Sequence, residues 1–104
     1  MARRRRGKPV LADPVDLHGK VTEELDLHHF SSAQAREATS AFLRNWSGRG
    51  RGIVVRIITG RGNRSAKGPV LFGLVRRMLE GDCAALVDRW ERDDHDGGFL
   101  VRLK

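Results

Sequence analysis

Ile53-Val54-Val55-Arg56-Ile57-Ile58-Thr59-Gly60-Arg61-Gly62 decides the fold. Its first seven residues are mostly β-branched and carry one charge, the pattern of a strand buried on both faces. Downstream, Gly60 to Gly68 is a glycine-rich loop, and Pro69 suits the first position of a helix. Leu71, Leu74, Val75, Met78 and Leu79 then recur on one helical face, and Gly81 stops them. Upstream, Ser31 is a candidate N-cap with Gln34 as its capping-box partner. Ala35, Ala38, Phe42 and Trp46 extend that helix to about residue 46, before the Gly/Arg loop that ends at Gly52. Earlier still, alternation over about 23–28 predicts a strand. It points Leu25 and Leu27 inward and sets Asp26 and His28 together on the other face. Beyond Gly81, Ala84 to Trp90 reads as a third strand, Asp93 to Gly98 as a polar turn, and Phe99 to Leu103 as a fourth strand. The order β-α-β-α-β-β predicts an α/β two-layer sandwich: a four-stranded mixed sheet with two helices.

The 104 residues suit one domain, too small to enclose a large ligand cavity. No apolar run approaches the roughly 18 residues of a membrane span. The basic N-terminus lacks the apolar stretch of a secretory signal. Cys83 is alone, which rules out an intrachain disulfide and a cysteine zinc site. A reducing, cytoplasmic compartment and a monomer are expected, with Cys83 buried behind a helix end. Residues 1–22 read as a basic, disordered arm and lead-in, and 23–104 as the folded domain. The net charge of +7 falls mainly on the arm. Removing Arg3, Arg4, Arg5, Arg6 and Lys8 from the 20 cations leaves 15 against 13 acids, a net of +2. Within the domain the signs are segregated. Nine basic residues and no acid stand between Glu37 and Glu80, whereas seven acids and two arginines fill Glu80 to Asp96. A basic lobe fits a polyanionic partner, and chance clustering of solvated charge is the alternative.

A strand, a helix and a second strand make a βαβ unit with parallel strands, whose C-terminal ends share one edge of the sheet. Asp26 and His28 end the first strand, and Thr59-Gly60-Arg61-Gly62 ends the second. The two polar clusters therefore converge where open α/β sheets bind ligands. Gly60 and Gly62 let an anion approach backbone N–H groups, the following helix N-terminus favours negative charge, and Arg61, Arg64 and Lys67 can bond phosphate oxygens. The loop is neither a Walker A motif nor a dinucleotide fingerprint, since Ser65 stands where the third glycine belongs. A plain βα turn with incidental arginines is the competing reading. Asp26 and His28 can act as an acid/base pair, in which the carboxylate orients the imidazole; alternatively they are only polar surface. Asp93-Asp94-His95-Asp96 reads as a solvated turn rather than a metal site, and Trp46 and Trp90 as core rather than stacking platforms.

Leu25-Asp26-Leu27-His28 with its Ala-rich helix, Thr59-Gly60-Arg61-Gly62 followed by Ser65 and Leu71, and Gly97-Gly98 before a last strand together resemble the Smr (small MutS-related) domain family. The resemblance covers about residues 23–104. It implies a fold similar to the C-terminal domain of translation initiation factor three. It also implies DNA or RNA as partner, because members bind nucleic acid and several nick DNA or cut RNA, including messenger RNA on stalled ribosomes. Carried onto this chain, it makes Asp26 and His28 catalytic. It also implicates the loop Thr59, Gly60, Arg61 and Gly62, which with the cations Arg64 and Lys67 read above make up the expected phosphate-binding set. The chemistry implied is phosphodiester hydrolysis or transesterification, with a divalent ion such as Mg or Mn left open as cofactor. His29 replaces a family glycine, Thr59 stands where many members have His, and the last strand lacks the usual Gly-Ala-Thr. Asp16-Leu17-His18-Gly19 matches the first motif more literally, but its His18 lies 41 residues before Thr59, so it belongs to the lead-in. A non-catalytic DNA/RNA-binding module is the competing function.

Overall fold

The computed structural model describes residues 21–60, 68–93 and 97–104. Four strands, β1 (Val21–Asp26), β2 (Val54–Ile58), β3 (Val87–Asp93) and β4 (Gly98–Leu103), form one sheet in the order β1-β2-β4-β3. β1 and β2 are parallel, and β4 runs antiparallel to both β2 and β3. Helices α1 (Ser32–Ser47) and α2 (Gly68–Glu80) follow β1 and β2. This is the mixed α/β sheet expected from the sequence.

The core lies between the helices and one face of the sheet. Val55 and Ile57 of β2, with Phe99, Val101 and Leu103 of β4, pack there against Ala35, Leu43 and the apolar stripe of α2. All five predicted residues of that stripe are buried. On the opposite face Val54 and Leu100 form a smaller buried pair, flanked by Val21. The capping box is present: Ser31 Oγ accepts the Gln34 N–H at 3.2 Å, and Gln34 Oε1 accepts the Ser31 N–H at 2.9 Å. The buried line of α1 is Ala35-Thr39-Leu43, with Ala38, Phe42 and Trp46 half-buried beside it. The stripe is thus rotated by one residue from the expected one and centred on a threonine, which a hydrophobicity pattern passes over.

Two strands are displaced from their expected positions. β1 starts and stops two residues early, with an irregular register between Val21 and Glu23. Its end is set by Asp26, whose side chain turns the chain. The third strand starts at Val87 instead of Ala84, because Ala84–Leu86 is a single 3-10 turn. Cys83 and Ala84 donate their N–H groups back to Met78 and Gly81, prolonging the end of α2. Alanine favours that helical conformation over a pleat. The expected turn from Asp93 is corrected in the same way: Asp93 is the last residue of β3 and is buried. Cys83 is buried, as its position after a helix predicts.

Gly97 and Gly98 close the β3–β4 hairpin. The Gly97 N–H donates to the Asp93 carbonyl at 2.8 Å, and Gly97 adopts φ 71°, a conformation that favours glycine. A Cβ on Gly98 would run into the Ile57 carbonyl of the neighbouring strand.

Candidate functional site

The parallel pairing of β1 and β2 sets Asp26 beside Ile58, and the Leu27 N–H still donates to the Ile58 carbonyl at 2.7 Å. The residues after Asp26 and after Ile58 therefore leave the sheet at one rim, as the βαβ reading predicts.

His28 reaches Asp26 by a different route from the expected strand alternation. It lies past the end of β1. The Asp26 Oδ1 accepts the His28 backbone N–H at 3.0 Å, an Asx turn that folds the chain back on itself. The same oxygen meets His28 Nδ1 at 2.6 Å. One carboxylate oxygen thus both ends the strand and orients the imidazole. Since a carboxylate only accepts, we assign the shared proton to Nδ1, which leaves Nε2 as the basic nitrogen. Both side chains stay accessible, at 49% for Asp26 and 43% for His28. His29 is exposed as well, and its ring centroid lies 3.6 Å from that of His28, tilted by 45°. Partial burial pushes the Asp26 carboxyl upward. The hydrogen bonds from His28 and the charges of His28 and His29 outweigh it and hold the carboxyl below its ordinary value of 3.8.

Thr59 and Gly60, one strand across, are tied to the hairpin. Thr59 is buried, and its hydroxyl and N–H donate to the Gly97 carbonyl at 3.0 and 2.9 Å. The Gly60 N–H donates to the same oxygen at 3.1 Å, with Gly60 at φ 135°. These three donors are occupied within the protein, so they brace the start of the loop and are not offered to an anion. Of the expected phosphate-binding set, Arg61, Gly62, Arg64 and Lys67 lie outside the described residues, as do Asp94, His95 and Asp96 of the polar turn. Among the described residues no group of three His, Cys, Asp or Glu is placed to hold a metal ion.

Three features escaped the sequence reading. Gly97 serves as the common acceptor for the tip of β2; the paired glycines before a strand were the visible signal. Arg56, counted in the basic run, is not a free cation. Its Nη1 donates to Glu24 of β1 at 2.7 Å and its Nε to Asp93 of β3 at 2.9 Å. Arg102 likewise pairs with Asp88 at 2.7 Å, so the charge segregation along the chain is partly cancelled in space. Trp46 and Trp90 pack against the core, as expected, with the Arg49 guanidinium 4.4 Å above Trp46.

Among known families, the model of the Smr domain matches residues 25–104. Neither the curated proteins nor the solved structures give a match.

Proposed function

The chain belongs to the Smr domain family, and from that membership we propose that it binds nucleic acid and cuts it as an endonuclease at the rim where β1 and β2 end. The observation that carries this reading is the 2.6 Å contact between Asp26 and His28 on an exposed edge. The carboxylate fixes the imidazole with Nε2 outward, where it accepts the proton of the attacking hydroxyl. In this reading Arg61, Arg64 and Lys67 bond the phosphate oxygens and stabilise the charge that develops on them. Thr59 and Gly60 hold the root of that loop through Gly97. The partner is DNA or RNA, with the ribosome as the expected setting. The reading places the chain in the cytoplasm as a monomer, and the lone cysteine supports a reducing compartment.

One observation favours binding without cleavage. The Thr59 hydroxyl is buried and engaged with Gly97, so it cannot carry a proton at the position where many family members have His.

The test uses supercoiled plasmid and single-stranded RNA, each with Mg or Mn and with EDTA, comparing the unaltered chain with Asp26→Asn. Cleavage is expected from the unaltered chain. The variant should lose about 10²–10⁴-fold of it, with affinity retained. Equal cutting by Asp26→Asn would move the site elsewhere, and binding with no cutting under any condition would establish the binding module.

A further inference from the structure

We infer that the turn after α1 is a second nucleic-acid contact, at the end of the sheet opposite the rim, where an unpaired base of a single strand stacks on the Arg49 guanidinium while Arg44 and Arg51 bond neighbouring phosphates. The inference rests on the nucleic-acid part of the reading above and not on cleavage. It makes the single strand, rather than the duplex, the form that is gripped.

The turn reads Ser47-Gly48-Arg49-Gly50-Arg51-Gly52, three glycines alternating with two arginines. Because β1 and β2 are parallel, α1 carries the chain back from the rim and ends beside the start of β2. There the Leu103 N–H, at the close of β4, donates to the Ile53 carbonyl at 2.8 Å. From Ile53 to Thr59 the chain takes six steps, which at about 3.3 Å each set the turn roughly 20 Å from the rim.

Arg49 is held in place. Its N–H donates to the Trp46 carbonyl at 3.1 Å, its Nη2 donates to Asn45 Oδ1 at 3.3 Å, and its guanidinium carbon lies 4.4 Å from the centre of the Trp46 ring. Trp46 is half-buried against the core, whereas Arg49 is exposed. The indole backs the guanidinium, and the exposed side of Arg49 is left for a ligand. A planar guanidinium stacks on a base as it does on an aromatic ring.

The charge around it is uncompensated. Arg36, Arg56, Arg76, Arg89 and Arg102 all pair with acids. Arg44, Arg49 and Arg51 are exposed, and none has an acid partner among the described residues. Asp82, which shares the surroundings of Cys83 with Arg44, goes to Arg36 at 3.9 Å. The end of α1 supplies only about half a negative charge, too little for three cations. Gly52 has φ 70°, with no atom within 4 Å of where a Cβ would stand, so the backbone there is open to close approach. An acidic protein would satisfy the charges but leave the stacking plane unused. A duplex offers phosphates but keeps its bases stacked on one another. A single strand uses both.

The experiment measures binding of the full chain by fluorescence anisotropy across a range of salt. The probes are a labelled oligo(dT) of about 20 nucleotides, longer than a single-strand site of roughly 4–16, and the same strand without bases. Arg44→Gln combined with Arg51→Gln should lower the slope of log affinity against log salt by about 1.4, two phosphates at about 0.7 each. Arg49→Lys keeps the charge but loses the plane. It should weaken binding to oligo(dT) about fivefold or more, and leave the salt slope and the affinity for the baseless strand unchanged. Asp26→Asn, at the opposite end, should bind as the unaltered chain does.

An unchanged slope in the double variant would overturn the inference. So would an Arg49→Lys loss as large on the baseless strand, which is also what a damaged fold would give. Competition by polyglutamate as effective as by unlabelled oligo(dT) would assign the turn to an acidic protein instead. If the unaltered chain binds no strand, the nucleic-acid reading falls and takes this inference with it. If it binds oligo(dT) and the arginine variants bind equally well, only the inference falls.

Discussion

Asp26 does two jobs with one oxygen, and its acid-base behaviour follows. Its carboxyl is held below 3.8 because the net effect of His28 and His29 outweighs burial. The folded state therefore binds this proton less tightly than the unfolded chain. The resulting stability is present above the unfolded value and is lost as pH falls through the lowered folded value. Half-exposed as it is, the pair adds little to stability, so titration is the better measure. An NMR titration of the Asp26 carboxyl should show a midpoint below 3.8 that rises in His28→Ala; a midpoint at or above 3.8 would contradict the described turn. Thr39 makes the opposite case at this scale. Its hydroxyl is fully buried on the core side of α1, with no hydrogen-bond partner among the described residues. An unsatisfied buried group costs about 1–3 kcal/mol, so Thr39→Val should raise the stability measured by chemical denaturation. A fall would show that the hydroxyl is satisfied. The sequence revealed Asp26 and His28 as partners but not the turn that joins them, since period-two alternation and an Asx turn both bring residues i and i+2 together.

Elements were legible where local patterns decide them and illegible where the neighbours do. α2 was read with its whole buried face, because its five apolar residues leave one helical phase. The start of α1 was read from the capping box, a purely local device. The start of β3 was missed, because a run such as Ala84-Ala85-Leu86 can continue a helix end or begin a strand, and the N–H groups returning to the end of α2 settle it. The β3–β4 hairpin depends on two glycines for two different reasons. Gly97 needs its backbone conformation, and Gly98 has a neighbouring carbonyl where a side chain would begin. Gly98→Ala cannot be absorbed by a rotamer change, because the obstacle is backbone. We expect it to prevent cooperative folding or to lower stability by more than about 4 kcal/mol, outside the ordinary range of point substitutions. A cooperative thermal transition close to that of the unaltered chain would refute this.

Across the whole molecule, the charge map read along the chain differs from the one in space. The basic run before Glu80 and the acidic run after it meet at Arg56, which links three of the four strands through Glu24 and Asp93. A pairing between positions 37 residues apart, on strands that are not neighbours, appears only once the strand order is known. Arg56 is 16% exposed and the Asp93 side chain not at all, so loss of Asp93 removes one charged partner from a largely buried guanidinium that keeps its pair with Glu24. Asp93→Ala should lower stability by about 1–3 kcal/mol, and Arg56→Met combined with Asp93→Leu should recover part of it. Denaturant midpoints of the single and double variants check this; equal losses in both would assign the effect to packing. A last consequence belongs to the Gly97 carbonyl. Because three donors from the tip of one strand end on that one oxygen, the far hairpin works as a splint for the rim. Loop grafts between relatives should therefore tolerate new residues at 94–96 as long as the closing glycines keep their place, whereas a shift of those glycines by a single position would unseat the rim without touching any residue in it.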